Sequence, residues 1–509
     1  MTHENTPGTG DWTLIHGGRL VMPKQAIPLL ADILIEGDTI REIGSPGMIG
    51  PMGARLIDAT NRLLHPGLIN AHTHGHGNLA RGMGDRWTLE LLLTAGPWIS
   101  GNRTTEDKYL TTLIGASEML LKGCTACYDL TLELPIPTLD GMQAAAAAYG
   151  HAGMRAVIAP MVSDLSFYEA IPGLLASLPL KLQKDIERLR SAPTDAILSA
   201  MASIVSHWKG GADMARLAIA PTIPHHCTDD FMKGCRNLAY DNGLPMHSHV
   251  AESKVQVIAG MRTYGTTLTA HMDKLGIVGP NFTVAHGVWL DNDDMKLLGD
   301  KGASVAHNPG SNMRLGSGLA RMRRMLECGV NVGLGTDGSN CSDNQNMYEA
   351  MRLASMVSKV QGPDWQNWIT TDEVLHAATV GSAKALGFGD RLGRIAPGYK
   401  ADIVFLDSRH ISMIPLINIT NSLVHAEDGG AVESVMVGGR MVVANHKLLH
   451  VNMEKLAQDA ENAVDRLARL NHDNHQLYKA LEPLVGSFCP GLAAQPFHVH
   501  RYGGCQYEH

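Results

Sequence analysis

Hydrophobic positions recur at every second residue near both ends of the chain, and the period changes in between. Segments 13–18, 31–38 and 40–44, bounded by glycines and other turn residues, read as short strands. Segments 401–406 and 432–443 repeat the pattern near the other end. Neither set is long enough to bury a core alone, so the two ends are predicted to join as one small β-sandwich. Between them, eight strand-like runs alternate with helical stretches: 67–72, 125–129, 155–162, 216–221, 245–250, 282–286, 303–307 and 331–336. The clearest helices among them are 110–122 and 293–300, and the alanine run 144–148 reads as a tightly packed helix. This rhythm predicts an α/β fold, a TIM-type (β/α)8 barrel whose reactive groups gather at the C-terminal ends of the strands. Helical spacing returns over 453–470 and gives way to an irregular tail from 484. The expected division is therefore 1–65 and 393–450 for the two parts of the sandwich, 66–392 for the barrel, and 451–509 for a helical segment and tail.

Composition narrows the setting. Hydrophobic residues make up 44% of the 509 residues and charged residues 18%, the profile of a compact folded protein. The net charge of -8, with no Lys/Arg stripe, argues against a nucleic-acid partner. No apolar stretch reaches the roughly 18 residues of a membrane span, and residues 1–12 lack the pattern of a signal peptide. A cytoplasmic protein with no membrane partner is expected. Cys124 and Cys127 form the only close pair among eight scattered cysteines, with no second pair at zinc-module spacing, so they read as core thiols.

The polar residues that interrupt this pattern fall at strand ends. The first barrel strand ends in His72-Thr73-His74, and alternation along a strand points His72 and His74 the same way. The fifth supplies His249, with Glu252 three residues on; the sixth ends in His286 and the eighth in Asp337. Three imidazoles and one carboxylate form a set that suits one zinc ion, with iron(II) or manganese as alternatives. A divalent ion lowers the pKa of a bound water to about 7. Glu252 stands where it could move the proton from that water to a ring nitrogen or leaving group.

Taken together, the run from His65 to His74, His249-x-x-Glu252, Ala285-His286-Gly287, Gly335-Thr336-Asp337-Gly338 and the stretch from Gly393 to Asp402 resemble the amidohydrolase superfamily. The likeness runs over about residues 13–445 and is greatest to the branch of chlorotriazine hydrolases, cytosine deaminases and methylthioadenosine/S-adenosylhomocysteine deaminases. It implies that His72, His74, His249 and Asp337 bind the metal and that Glu252 shuttles the proton. It also implies that His286 hydrogen-bonds the nucleophile or substrate and that Asp337 accepts a proton from the water. The fourth strand lacks the lysine that bridges two metals in binuclear members, so the resemblance implies one ion per chain.

Two departures from the nucleoside-deaminase pattern point away from a nucleoside: Pro221-Thr222 where those enzymes carry Pro-His, and Pro97-Trp98-Ile99-Ser100 where they carry an acid after the proline. Around the site, His76, Trp87, Trp98, His225, His226 and His307 are candidates to line the pocket, and His247 reads as a hydrogen-bonded core histidine one layer deeper. The tail residues His498, His500, Cys505 and His509 match a metal site in composition only. The base-editing type of zinc deaminase needs His-x-Glu and Pro-Cys-x-x-Cys, and that arrangement is not present. The expected activity is hydrolytic deamination of an amino-substituted nitrogen heterocycle, a small-molecule substrate, by a homo-oligomer. Hydrolysis of an amide, urea, substituted amine or carbon-halogen bond is the alternative within the same machinery, and a catalytically silent scaffold is the alternative outside it.

Overall fold

The computed structural model describes residues 11–211 and 213–503. Residues of the N-terminal stretch before Asp11 fall outside it, as do Cys505 and His509 of the tail cluster.

Both chain ends feed one mixed nine-stranded sheet. The front supplies Trp12–Leu20, Leu29–Glu36, Thr39–Gly44, Arg55–Asp58 and Arg62–Pro66, and the back supplies Ile403–Asp407, Val432–Val437, Arg440–Ala444 and Lys447–Leu448. They join where Arg62–Pro66 runs antiparallel to Ile403–Asp407. Ile15, Ile33, Ile35 and Leu64 from one half share a buried cluster with Ile403, Phe405 and Met436 from the other, which gives the sandwich its core. The sheet is tied to the barrel by an ion pair of Arg155 with Asp402 at 3.0 Å, both side chains nearly inaccessible.

Directly after Pro66 the chain enters the barrel. Its strands are Leu68–Thr73, Cys124–Thr131, Arg155–Val162, Met246–Val250, Phe282–His286, Ser304–His307 and Asn331–Leu334, with the fourth broken into Ala215–Leu217 and Ala220–Pro221. All neighbours run parallel. The strands hydrogen-bond as two groups, first to fourth and fifth to eighth. One seam is closed by a bridge between Ile219 and Met246. At the other, the Asn70 side chain donates to Thr336 Oγ1 at 2.7 Å and accepts from the Thr336 N–H, while the Asp337 N–H donates to the His72 carbonyl at 2.9 Å. Gly335 permits that closure, because a Cβ there would meet the His72 carbonyl at 2.8 Å and the Asn308 side chain at 2.3 Å. All eight predicted strands are thus present, and the α/β barrel-plus-sandwich class is observed.

The predicted helices are present as Thr105–Leu121, Leu139–Ala152 and Asn292–Asp300, each beginning before its expected first residue. The first begins with a capping box of Thr104 and Asp107, which satisfies its leading N–H groups. Cys124 and Cys127 are buried free thiols.

The end of the chain differs from its reading. Met453–Leu470 is helical as expected, but a second helix, His472–Ala493, occupies a stretch read as irregular from 484 and contains Pro483 and Pro490. Each interior proline costs about 3 kcal/mol. The offsetting term is a buried stripe of Leu477, Tyr478, Leu481, Val485, Cys489 and Leu492, which shares a cluster with Leu91, Ala95 and Ile99 of helix Leu89–Ser100. Trp87 and Trp98 belong to this packing rather than to the pocket. The Trp87 indole donates to Tyr478 at 2.8 Å, and Trp98 stacks on His475 with ring centres 3.9 Å apart. Among the described residues, no helix is long and apolar enough to cross a membrane.

Candidate active site

The first barrel strand delivers two rings to one side, as its alternation requires. His72 and His74 have ring centres 4.8 Å apart, while Thr73 points away and donates to Gln345 at 2.5 Å. His249 closes the group. His74 Nδ1 donates to the Leu130 carbonyl at 2.6 Å and His249 Nδ1 to the Thr222 carbonyl at 2.7 Å. A carbonyl accepts only, so each Nδ1 carries a proton, and in the neutral ring that a metal requires each Nε2 presents a lone pair. The two Nε2 atoms nevertheless stand 3.3 Å apart. Two lone pairs cannot hydrogen-bond each other, and their approach is relieved by a cation between them. Asp337 Oδ1 lies 3.1 Å from His74 Nε2 and 3.6 Å from His72 Nε2. Both His72 nitrogens are buried with no hydrogen-bond partner among the described residues. Ligand atoms roughly 3.3 Å apart match the edge of a tetrahedron with bonds of about 2.0 Å. The donor set therefore fits one small divalent ion, and the carbonyls on the far nitrogens hold the rings in the ligating tautomer.

Burial sets the charge states. It keeps His249 well below the ordinary imidazole range and holds His72 down to about 3, leaving both neutral as ligands must be. Burial also opposes ionisation of Asp337, but the His72 and His74 rings beside it outweigh that and keep its carboxyl well below the usual range. Glu252 goes the other way. Burial, with Asp337 and Glu90 nearby, raises it well above the carboxylate range. His286 spans the two acids, its Nε2 3.6 Å from Glu252 and 3.8 Å from Asp337.

His286 and Asp337 both sit at strand ends with positive φ, 70° and 64°. Such backbone costs of order 1–3 kcal/mol per residue and persists only where neighbours hold it. Helix Pro309–Arg314 supplies part of the hold. Ser311 donates to Asp337 Oδ2 at 2.5 Å, and Asn312 Oδ1 accepts from His286 Nδ1 at 2.9 Å.

A cavity of about 310 Å³ opens above this cluster. Its base includes His74, His249, Glu252, His286 and Asp337, and its walls include Leu92, Leu93, Leu134, Leu165, Phe167 and Leu189. His76 and His226 face it, as do Ser100 and Thr222 at the two departures noted above. His225 and His307 do not line it; both are buried, their ring nitrogens unpartnered among the described residues. His247 lies one layer down, 5.0 Å from His72 and 4.5 Å from Tyr128 between ring centres, and has no hydrogen-bond partner among the described residues, contrary to its reading.

Sequence reasoning missed Glu90, Ser311 and Asn312. Glu90 is 5% exposed and accepts from Ser253, the residue after Glu252, at 2.8 Å. Its only signal is an acid inside the apolar run Leu89 to Leu93. Ser311 and Asn312 lie in the polar stretch after the seventh strand, where nothing in the spacing shows which side chains turn back toward the barrel axis.

The model of the amidohydrolase family matches residues 63–442. A 5-methylthioadenosine/S-adenosylhomocysteine deaminase of Desulforamulus reducens is 30% identical over 89% of this chain and 99% of its own length. A 5'-deoxyadenosine deaminase of Methanothermobacter thermautotrophicus is 32% identical over 86% and 94%. Among solved structures, an adenosine deaminase from Xanthomonas campestris with bound zinc superposes with a TM-score of 0.79 at 26% identity, covering 91% of this chain and all of that one. An atrazine chlorohydrolase from Arthrobacter aurescens complexed with zinc gives 0.79 at 25%, covering 89% and all of that chain.

Proposed function

Since this chain belongs to the amidohydrolase family, we propose that it is a metal-dependent hydrolase that releases ammonia from an amino-substituted nitrogen heterocycle. The observation that carries this reading is the meeting of four buried donors, His72, His74, His249 and Asp337, beside the buried carboxyl of Glu252, whose proton affinity is raised. The relatives named above as deaminases of adenosine-type compounds support it. Zinc is the proposed ion, one per chain, held by those four side chains. When bound, it supplies a Lewis acid and a nucleophile at neutral pH.

The chain's own residues then move protons. Glu252 gives its proton to the ring nitrogen next to the amine-bearing carbon, so that carbon accepts the nucleophile. Asp337 takes one proton of the attacking water and passes it to the departing amine, which leaves as ammonia. The second returns to Glu252 as the product settles into its oxo form with the ring nitrogen still protonated. His286, within 4 Å of both acids, orients the oxygen between them.

Ammonia release by zinc-loaded protein over aminopyrimidines, aminopurines, aminotriazines, pterins and 5'-deoxyadenosine tests this. Glu252→Gln is expected to lower kcat about 10²- to 10⁴-fold with zinc retained. Full turnover in that variant would overturn the assignment of Glu252. Silence across the panel with zinc bound would shift the reaction to an amide, urea, substituted amine or carbon-halogen bond. The likeness to an atrazine chlorohydrolase puts a chlorotriazine first among those substrates.

The protein is further proposed to act in the cytoplasm and as a homo-oligomer. Support for the latter is an apolar surface of Ile27, Leu29, Leu30, Ile411, Ile414 and Ile417, all exposed. Its two segments are joined where the Ile419 N–H donates to the Ala26 carbonyl. Light scattering reads the stoichiometry, and a monomer would refute it.

A further inference from the structure

Residues 472–503 lie beyond the stretch matched by the family model, yet they end on the loop that leaves the sixth strand after His286. After helix His472–Ala493 the chain runs on to the loop that follows the sixth strand. Arg501 is 6% exposed, and its guanidinium donates to the carbonyls of Val288, at 3.0 Å, and Leu290. Those carbonyls belong to the loop that leaves the sixth strand directly after His286. The Arg501 carbonyl accepts from the Leu319 N–H at 2.7 Å. Gly318, at φ 120°, has no room for a side chain there, because a Cβ would meet that same carbonyl at 2.8 Å. Trp289, almost fully buried, is flanked by Phe497 and Tyr502 and donates to the Ser317 carbonyl at 2.7 Å.

The strap therefore grips two loops at once, and both bear on His286. One is the loop leaving His286 itself, where His286 and Gly287 take φ of 70° and 58°. The other follows helix Pro309–Arg314, whose Asn312 holds the His286 ring. Carbonyls turned outward by the unusual backbone after His286 need donors, and a planar guanidinium can serve two of them together. We propose that Arg501 is a positioning residue: it fixes the strand exit and the Asn312 loop, and through them the His286 imidazole. The activity arm of its test rests on the deaminase reading; the spectroscopic arm does not.

The test compares Arg501→Met and Arg501→Lys with the parent, all zinc-loaded. The His286 ring signal, identified by its loss in His286→Asn, is followed in proton-nitrogen spectra of histidine-labelled protein. Turnover is followed with 5'-deoxyadenosine. In Arg501→Met the ring signal is expected to shift or broaden and kcat to fall at least about tenfold, with KM within about threefold and zinc still one per chain. Arg501→Lys is expected to recover part of both, and it carries the same readouts if the methionine variant does not fold. His500→Ala, an exposed neighbour, is expected to match the parent. A lower Tm with kcat per folded chain and ring signal unchanged would make the strap merely structural and overturn the proposal. A fall in kcat with an unmoved ring signal would also overturn it. If the parent deaminates none of the substrates, the deaminase reading fails while the ring signal still decides the role of Arg501.

Discussion

Glu252 gives up its hydration on folding and meets two acids, Asp337 and Glu90, so its pKa rises well above the ordinary 4.5. The native chain then binds a proton that the unfolded chain releases, and stability falls as pH rises above about 4.5 toward the raised value. A tenfold difference in proton affinity is worth about 1.4 kcal/mol. Glu252→Gln removes that dependence while keeping the side chain's shape. In chelator, its melting temperature is expected to exceed that of the parent by more at pH 8 than at pH 5; an equal offset at both would show that Glu252 has an ordinary pKa. The six polar side chains brought together here were legible because backbone alternation at a strand end fixes where a ring or carboxylate points. Glu90, Ser311 and Asn312 were not, since their roles come from tertiary packing that no local period encodes.

At the level of elements, strands and most helices announced themselves through period and caps, whereas helix His472–Ala493 did not. Two prolines speak locally for a break, and only the partner surface of helix Leu89–Ser100 outweighs them. That partner lines the cavity with its other face, through Leu92, Leu93 and Ser100. Leu481, 1% exposed at the centre of the contact, tests the balance. Leu481→Ala is expected to cost about 2–5 kcal/mol in denaturant unfolding and to raise KM more than it lowers kcat, because it loosens a pocket wall and not the proton carriers. An unchanged unfolding midpoint would mean that the helix is held elsewhere.

For the whole molecule, the eight-strand rhythm and the sandwich shared by both ends were readable, but the way the barrel closes was not. The first four strands carry His72 and His74, and the last four carry His249 and Asp337. Among the described residues, the gap between eighth and first strand is spanned by the side chains of Asn70 and Thr73 and one backbone bond rather than by a ladder. An ion held by all four side chains would bridge the two half-barrels like a rivet through overlapping plates. Metal affinity would then be closure energy as well as chemistry: binding at a thousand times Kd adds about 4 kcal/mol to stability. Chelation is expected to lower the melting temperature and to speed amide exchange first at Thr336 and Asp337, ahead of the strand centres. Uniform exchange would refute the bridge. A cell short of the metal would thus hold a chain fastened along that side by a few hydrogen bonds alone, and metal supply would set its lifetime as well as its rate.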